Sequence, residues 1–492
     1  MKIALLHYHL RSGGVSQVVL NQARALTEAG HEALVISGEA PVYKAGWEGI
    51  GMAFVPSLHY DRYRPHEADP RTSDSQTPEI SRLAGTVDKT LRERWPGGPD
   101  IVHVHNPLIR KNSLFIGALK KLAESWPLLL QNHDLAEDFR PDVYAGEEYP
   151  ENCHFAVINS RDYRFLLEAG LVPEGLHLLP NEVRELPFTP GLPKTRYLYP
   201  VRGIRRKNIG EMLLLSLFIG PADAEHRGGP PLRTAALTQP PTTDQDLPIY
   251  RRWKEAAARL DLPVEFETGL GASFADVMGS ACAVLTSSVK EGFGFSFLEP
   301  WTAGLAVTGR YIDYVCRDFE KEGLSFSSFY SSLNIPAEYA EPELLRQKIE
   351  KALVRIYSAF NAVLPPPVPE ALAKIFRDRD TFDFGIMDED IQERILRRAA
   401  EDKTFRRQLK AINPFLESLA DRREDPQEIE DNRRAVVRSY SRSRILETLE
   451  RVYEQVRRPV TQSISRSKLL EQYLDPLRLS LVGISPEDPH EG

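Results

Sequence analysis

The sequence of 492 residues predicts an α/β protein with two Rossmann-like domains and a mainly helical C-terminal extension. Short apolar stretches alternate with helical segments in two successive series, which is typical of parallel sheets with helices on both faces. Proline-rich stretches at residues 187–193 and 365–367 end the first and the second series. We therefore expect domains at residues 1–190 and 191–364, followed by the extension at residues 365–492.

The first series begins with an apolar strand at residues 3–8, which the turn Ser12-Gly13-Gly14 follows. Apolar side chains between Val18 and Leu26 then recur at helical spacing, and Gly30 ends this helix. Further short apolar stretches, each bounded by Pro, Gly, Asn or Asp, predict more strands. These lie at residues 33–36, 101–105, 128–130, 155–158 and 177–179.

The second series repeats the same alternation. Its predicted strands lie at residues 197–201, 234–237, 264–266, 281–286 and 306–308, with helices at 208–218, 250–260 and 297–302. Residues 221–246 are rich in Pro, Gly, Thr and Asp, so this stretch is expected to include an exposed loop.

Composition and charge exclude several classes of protein. The net charge of −8 argues against a nucleic-acid-binding protein, which normally carries a basic excess over a whole domain. Cys153, Cys282 and Cys316 are widely spaced and have no paired ligands, so neither a disulfide framework nor a zinc site is expected. No apolar stretch approaches the ~18 residues of a membrane span. We expect a cytoplasmic protein.

The C-terminal extension is charged and helical. Its segment 431–470 carries ten Lys or Arg against four Asp or Glu, a local balance of +6. A solvated helix face is the favoured interpretation, and peripheral contact with a membrane or a protein is the alternative. Apolar residues from Ile445 to Val456 recur at helical spacing. The acidic run at residues 388–390 is expected to be charged surface and not a metal site.

The strongest chemical signal is the stretch from Glu291 to Glu299, which lies between a predicted strand and a predicted helix. Gly292 and Gly294 lack Cβ atoms, so backbone N–H groups there can approach phosphate oxygens, and the helix N-terminus adds partial positive charge. The alternative is a plain strand-to-helix turn with two solvated carboxylates. Taken alone, the glycine turn favours that alternative.

Arg202 and Lys207 follow the first strand of the second series, at the edge where open α/β sheets bind their ligands. The Glu291 turn follows a later strand of the same predicted sheet, so both motifs are expected to reach one crevice. A guanidinium and an ammonium there can hold a diphosphate and stabilise the charge that develops as it departs. The alternative is an ordinary basic helix start made by Arg202, Arg205, Arg206 and Lys207.

Taken together, the Glu-x7-Glu stretch, the Arg-x4-Lys pair, the Gly13-Gly14 turn and the His133-Asp134 pair resemble glycosyltransferase family 4. The resemblance extends over residues 1–308 and is weakest at 221–246. It implies a GT-B fold, in which two Rossmann-like domains face each other across a cleft. It also implies retaining transfer from a nucleoside-diphosphate sugar to a hydroxyl acceptor, without a cofactor or an essential metal.

The resemblance also implies roles for individual residues. Arg202 and Lys207 would bind the diphosphate, Glu299 the ribose and Glu291 the transferred sugar. His133 would contact the sugar, and the amides of Gly13 and Gly14 would face the donor phosphates. The donor-binding turn would comprise Gly292, Phe293 and Gly294 with the backbone amides of Phe295, Ser296 and Phe297.

The sequence departs from the family pattern at two places, and a further cluster of polar residues has two possible roles. Pro300-Trp301 stands where the family usually has small residues, which is expected to change the wall of the nucleotide pocket, and Glu182 replaces the usual glycine after Asn181. His103, His105 and Asn106 end a predicted strand, either as substrate contacts or as core histidines.

The predicted function is hexose transfer from a nucleoside-diphosphate sugar to a sugar, glycan, lipid or small polyol or acid. Two other classes stay open. One is a related GT-B chemistry, either a sugar phosphorylase or a nucleotide-sugar epimerase. The other is a non-catalytic protein that binds sugar nucleotides. The donor base, the sugar, the acceptor and the oligomeric state do not follow from the sequence.

Overall fold

A computed structural model describes residues 1–11, 13–42, 46–61, 77–144, 146–219, 233–420 and 425–484. The chain divides into two compact units. Unit 1 comprises Met1–Glu182 and Ser439–Asp475, and unit 2 comprises Val183–Arg438 and Pro476–Gly492. The described residues between 365 and 438 thus belong to the same unit as the second sheet, whereas residues 439–475 belong to that of the first. In the described part of the chain, no helix is both long and apolar enough to cross a membrane.

Unit 1 is built on a parallel sheet of seven strands. They are β1 (Lys2–His7), β2 (Glu32–Ser37), β3 (Gly51–Phe54), β4 (Ile101–His105), β5 (Leu128–Asn132), β6 (His154–Val157) and β7 (Leu176–Leu178). Their order in the sheet is β3-β2-β1-β4-β5-β6-β7. Nearly continuous apolar runs such as that of β1 fit a sheet covered on both faces.

Helices cover both faces of this sheet, and all helices are numbered here along the whole chain. Those of unit 1 are α1 (Gly14–Glu28), α2 (Thr77–Arg94), α3 (Phe115–Ala123), α4 (Ser160–Glu168), α17 (Arg442–Val456) and α18 (Arg466–Tyr473). Ile445, Leu449 and Val452 of α17 share one core cluster with Val19 and Ala23 of α1. The apolar spacing in this late segment therefore belongs to the core of unit 1.

Unit 2 contains a second parallel sheet and a small hairpin. The sheet strands are β8 (Arg196–Arg202), β9 (Thr234–Gln239), β10 (Val264–Glu265), β11 (Ala281–Thr286), β12 (Val307–Arg310) and β13 (Phe329–Tyr330). Their order is β10-β9-β8-β11-β12-β13. An antiparallel pair, β14 (Asn334–Pro336) and β15 (Thr381–Asp383), lies outside this sheet.

The helices of unit 2 follow the strands and then continue toward the C-terminus. They are α5 (Ile209–Ser216), α6 (Leu247–Arg259), α7 (Phe274–Gly279), α8 (Phe295–Thr302), α9 (Asp313–Lys321), α10 (Ala337–Ala340), α11 (Pro342–Ala359), α12 (Pro367–Arg377), α13 (Glu389–Glu401), α14 (Lys403–Ile412), α15 (Phe415–Ala420) and α16 (Pro426–Tyr440). The prediction of two Rossmann-like domains with a helical C-terminal region is confirmed.

The elements that the sequence did not reveal include two short edge strands. β3 has four residues, and none of them is fully buried. β13 has only two residues. Such strands lack the long apolar run that marks a central strand, so their pairing with a neighbour defines them. The predicted loop at 221–246 falls partly outside the described residues, as does Ser12.

Candidate functional site

Unit 2 brings its two predicted motifs to one edge of its sheet. β8 and β11 are parallel neighbours, so the loops that follow them leave the same edge. The Tyr199 hydroxyl donates to the Lys207 carbonyl at 3.1 Å and lies 2.6 Å from Ser288 Oγ. Ser287 Oγ also donates to the Lys207 carbonyl, at 3.0 Å. The Lys207 carbonyl is therefore one of the groups that join the two loops, together with the Arg206 carbonyl, which accepts from the Val289 amide at 3.1 Å.

Lys207 and Glu291 form a buried ion pair at this edge. Lys207 Nζ donates to Glu291 Oε1, and the two residues are 8% and 6% exposed. Arg206 Nη1 donates to Glu291 Oε2 at 2.9 Å. Burial alone would raise the pKa of Glu291, but Lys207 and Arg206 lower that pKa to about 2. Glu291 is therefore an anion at neutral pH, held between two cations.

The backbone of Glu291 is fixed as firmly as its side chain. Its N–H donates to the Tyr314 hydroxyl at 3.2 Å, and that hydroxyl donates to the Glu291 carbonyl. Tyr314 lies in α9, the second helix after the glycine turn. Hydrogen bonds therefore hold both the backbone and the carboxylate of Glu291 in place.

The glycine turn that follows Glu291 requires a glycine at position 294. Gly294 has φ +92°, and an added Cβ would lie 3.0 Å from Val315 Cγ1. α8 begins directly after it, and the Phe297 amide donates to the Gly294 carbonyl at 2.9 Å. The Phe293 ring packs 5.2 Å from that of Phe295. Backbone groups of the turn are therefore the parts suited to hold an anion.

Glu299 lies one helical turn inside α8. Burial raises its pKa to about 7, although Arg184 acts in the opposite direction. No hydrogen-bond donor to its carboxylate occurs within the described ranges. The neighbouring Trp301 is 1% exposed, and its indole N–H donates to the Phe297 carbonyl at 2.8 Å. Trp301 is thus part of the core, and the effect of Pro300-Trp301 on the wall of a nucleotide pocket stays a prediction.

The basic run at 202–207 divides into residues with different environments. Arg202 is the last residue of β8 and is half-buried. Arg205 donates to both carboxylate oxygens of Glu389, at 2.6 and 2.8 Å, so it fastens α13 to the sheet edge. Glu389 is 7% exposed, so the expectation that 388–390 is entirely charged surface is wrong for this residue. Arg206 and Lys207 face Glu291 instead.

Unit 1 places Gly13 and Gly14 at the start of α1. Gly13 has extended backbone, and its carbonyl accepts from the Gln17 amide at 3.0 Å. An added Cβ would meet nothing within 4 Å at Gly14 and only the Arg11 carbonyl, at 3.9 Å, at Gly13. Packing within the protein therefore does not demand glycine at either position. The absence of Cβ atoms leaves this backbone open to close approach by a ligand.

His133 follows β5 in unit 1 and is buried. The backbone N–H of His133 donates to Asn106 Oδ1 at 2.9 Å. Asn106 itself has a backbone φ of 55°. His133 Nε2 lies 3.1 Å from Nδ1 of His105, the last residue of β4. The His105 ring stacks on that of His103 at 4.4 Å, and His103 Nδ1 lies 2.9 Å from the Tyr453 hydroxyl of α17.

These buried residues form a column of neutral imidazoles, comprising His7, His103, His105 and His133. His7 Nδ1 donates to the His105 carbonyl at 3.2 Å. Burial lowers the pKa of His7 and His103 to about 3 and that of His133 to about 4. Burial and the other histidines also hold the pKa of His105 well below its usual value. His103 and His105 are core histidines, whereas His133 lies at the strand end.

Comparisons with known proteins bear on the family and the fold of the chain. Residues 12–184 match the model of Glycosyltransferase Family 4. The chain is 24% identical over 463 residues to mannosylglucosyl-3-phosphoglycerate synthase of Petrotoga mobilis, with 83% of each protein covered. The resemblance to glycosyltransferase family 4 is therefore confirmed over residues 12–184. The match and the relative support a glycosyltransferase, as the motifs predicted.

The fold of the chain is similar to solved structures of low sequence identity. For Anabaena HepE in complex with UDP-glucose the TM-score is 0.53 at 12% identity, and 92% of this chain and 99% of that chain are covered. For sucrose-phosphate synthase of Thermosynechococcus elongatus it is 0.51 at 14% identity, with 92% and 98% covered. These likenesses support the GT-B fold.

Several residues that shape the site carried no individual signal in the sequence. Arg206 was visible only as part of a basic run, and its contact with Glu291 depends on the 3-10 helix Arg205–Lys207. Tyr314 lies 23 residues from Glu291 along the chain, too far for any local pattern. The link from Tyr453 to His103 spans 350 residues. Such contacts follow from tertiary packing and not from spacing.

Proposed function

We propose that the chain is a retaining hexosyltransferase that transfers a sugar from a nucleoside diphosphate to a hydroxyl acceptor. The observation that carries the proposal is the buried Lys207–Glu291 ion pair beside the Gly294 turn. A buried carboxylate fixed between cations is positioned for sugar hydroxyls, and the adjacent amides and cations are positioned for phosphate. This is the division of roles that the resemblance to the family implies.

In the proposed reaction, the bond between the anomeric carbon and the diphosphate oxygen breaks while a bond to the acceptor oxygen forms on the same face. The acceptor proton passes to the departing phosphate oxygen. Lys207 and Arg202 lower the barrier by stabilising the negative charge on that oxygen. An ammonium has three donors, so Lys207 can bind Glu291 and a phosphate together. The proposal needs no essential metal, because these cations supply the positive charge.

Two comparisons support the choice of substrates. HepE has been solved with UDP-glucose, which supports a nucleotide-sugar donor. The relative from Petrotoga mobilis is named for a phosphoglycerate product, which supports a small acidic acceptor. Glu299 is proposed to accept hydrogen bonds from the ribose hydroxyls, and His133 to contact the sugar. A cytoplasmic location stays part of the proposal.

A transfer assay tests the proposal. UDP, GDP, ADP and dTDP sugars are first screened by thermal shift, because a bound donor stabilises the folded state by mass action. The stabilising donor, radiolabelled in its sugar, is then used with wild type, Lys207→Ala, Glu291→Ala and the control Lys403→Ala. Lys403 is an exposed lysine of unit 2. We expect transfer by wild type and the control, with loss in the other two.

The product identifies the reaction class. NMR should show the same anomeric configuration in donor and product. Full transfer by Lys207→Ala or Glu291→Ala, or inversion at the anomeric carbon, would contradict the mechanism. Phosphate-dependent cleavage of a disaccharide would instead indicate a phosphorylase, and conversion of the nucleotide sugar without acceptor would indicate an epimerase. Tight donor binding with no turnover would indicate a non-catalytic protein.

A further inference from the structure

Unit 1 carries a second group of cations, separate in the chain from those of unit 2. Arg11, Lys111 and Arg140 lie on the loops that follow β1, β4 and β5, which are adjacent strands of one parallel sheet. All three loops therefore leave the same edge. Tyr60 lies among them, because Lys111 Nζ is 5.7 Å from the centre of its ring and both Arg11 and Arg140 act on its charge.

Lys111 forms no ion pair within the described residues, in contrast to Arg11 and Arg140. It is half-buried, and its ammonium donates no hydrogen bond to any residue that the structure describes. Burial lowers its pKa and the positive charge of Arg140 adds to that effect, whereas the carboxylates of Asp142 and Asp134 act in the opposite direction. Two positive charges that are partly desolvated and have no hydrogen-bonded partner destabilise each other, as at Lys111 and Arg140. An anion bound between them would therefore stabilise the protein.

Three carboxylates of this region are bonded to or paired with other groups, and a fourth, Asp142, acts on Lys111 through its charge. Glu39 is bonded by Arg11, whose Nη2 donates to it at 3.1 Å. Asp61 accepts from the backbone and the hydroxyl of Ser113, both at 2.6 Å. Asp134 accepts from Asn106 at 3.4 Å and lies 3.7 Å from Arg140 Nη1, which is a long ion pair. Lys111 and Arg140 therefore keep donors for a further anion.

We propose that Lys111 and Arg140 bind a phosphate-ester group on the acceptor, with the Tyr60 ring positioning the Lys111 ammonium. The inference rests on the proposed function and gives its acceptor a chemical class. The donor diphosphate is already assigned to Lys207 and Arg202 in unit 2. Lys111 and Arg140 are therefore proposed to bind a different anion. Arg140 lies seven residues after His133 on the loop that leaves β5. That loop therefore also carries the residue proposed to contact the transferred sugar.

Direct binding to the full-length protein tests this site without turnover. The probes are 3-phosphoglycerate and glucose 6-phosphate, each compared with its unphosphorylated counterpart, glycerate or glucose, by calorimetry. We expect at least one phosphorylated probe to bind at least tenfold more tightly than its counterpart. Lys111→Met and Arg140→Met should each weaken that binding by about tenfold or more, the loss of one charge-assisted hydrogen bond. Lys121→Met, an exposed lysine of the same unit, is the matched control.

Equal affinities for phosphorylated and unphosphorylated probes would overturn the inference, as would no binding of either phosphorylated probe. Unchanged phosphate affinity in Lys111→Met would also overturn it. Binding of the nucleoside diphosphate is measured in the same preparations, and it should be the same in Lys111→Met as in wild type. Failure of wild type to bind any nucleoside diphosphate would count against the proposed function alone. The experiment can therefore contradict the phosphate site and the proposed function independently of each other.

Discussion

The carboxyl edges of the two sheets hold polar clusters of opposite character. In unit 2, Lys207 and Glu291 are charged and bonded to each other in a buried position. In unit 1, the buried column around His105 is kept neutral, because burial lowers the pKa of its imidazoles. The first cluster stays charged because opposite charges are paired in it, whereas burial keeps the second cluster neutral. Burial therefore has opposite consequences for the charge of the two clusters.

The largest effect should come from unpairing the charges of unit 2. Glu291→Leu leaves the buried Lys207 ammonium without its carboxylate, so we expect a loss of about 3 to 5 kcal/mol in the free energy of unfolding. Lys207→Met should cost less, because Arg206 still bonds to Glu291 at 2.9 Å. Denaturant unfolding measures both. The double variant Lys207→Met/Glu291→Leu should be more stable than Glu291→Leu, and a further loss would show that the pair is not coupled.

Acid should destabilise the unit 1 column. Folded His103 and His133 have pKa values of about 3 and about 4, below the ordinary 6.5, so the unfolded chain binds more protons than the folded chain between pH 6.5 and about 4. Stability should therefore fall with falling pH in that window, by about 1.4 kcal/mol per pH unit for each such histidine. Unfolding followed at pH 7.5, 6 and 5 measures this slope. His103→Phe should reduce the slope of stability against pH. An unchanged slope would show that other groups take up the protons.

Breaking the column should affect transfer without altering the charged site. His105→Phe removes the nitrogen that lies 3.1 Å from His133, so His133 loses the partner that orients its ring. We expect kcat/KM to fall by about tenfold, with nucleoside-diphosphate affinity unchanged. His154→Phe is the matched control, because His154 is paired with His177 at 3.0 Å in the same unit. Equal losses in both variants would indicate a general effect on stability.

The smallest effect concerns Glu299. Its pKa of about 7 means that acid protonates the carboxylate proposed to accept the ribose hydroxyls. Donor affinity should therefore weaken by about fourfold between pH 8 and pH 6.5, as expected for a group with this pKa. Glu299→Gln should bind donor more weakly and without that pH dependence. The same pH dependence in Glu299→Gln would assign the proton to another group.

The sequence predicted the central strands and the charged motif well. β4 was predicted with its observed bounds, because its residues are Ile, Val and His and all five are buried. Lys207 and Glu291 could be placed at one edge because both follow strands of one parallel sheet. Their direct bond was not predictable, since a strand pattern does not give the direction of a side chain.

The remaining features depend on contacts between distant parts of the chain. Arg205 and Arg206 are adjacent in sequence, yet one bonds to Glu389 and the other to Glu291. The two-residue strand β13 is defined only by its pairing with β12. Trp301 stands where a small residue was expected, but it points into the core. In each case packing, and not local pattern, determined the outcome.

The most direct test of the account is the affinity of unit 2 for a nucleoside diphosphate. Calorimetry with the nucleoside diphosphate selected by thermal shift would compare wild type, Lys207→Met and the exposed control Lys403→Met. The account predicts a Kd at least tenfold higher for Lys207→Met and an unchanged Kd for the control, since a charge-assisted bond to phosphate is lost. Equal affinity in all three proteins would contradict the assignment of the buried pair to the donor site.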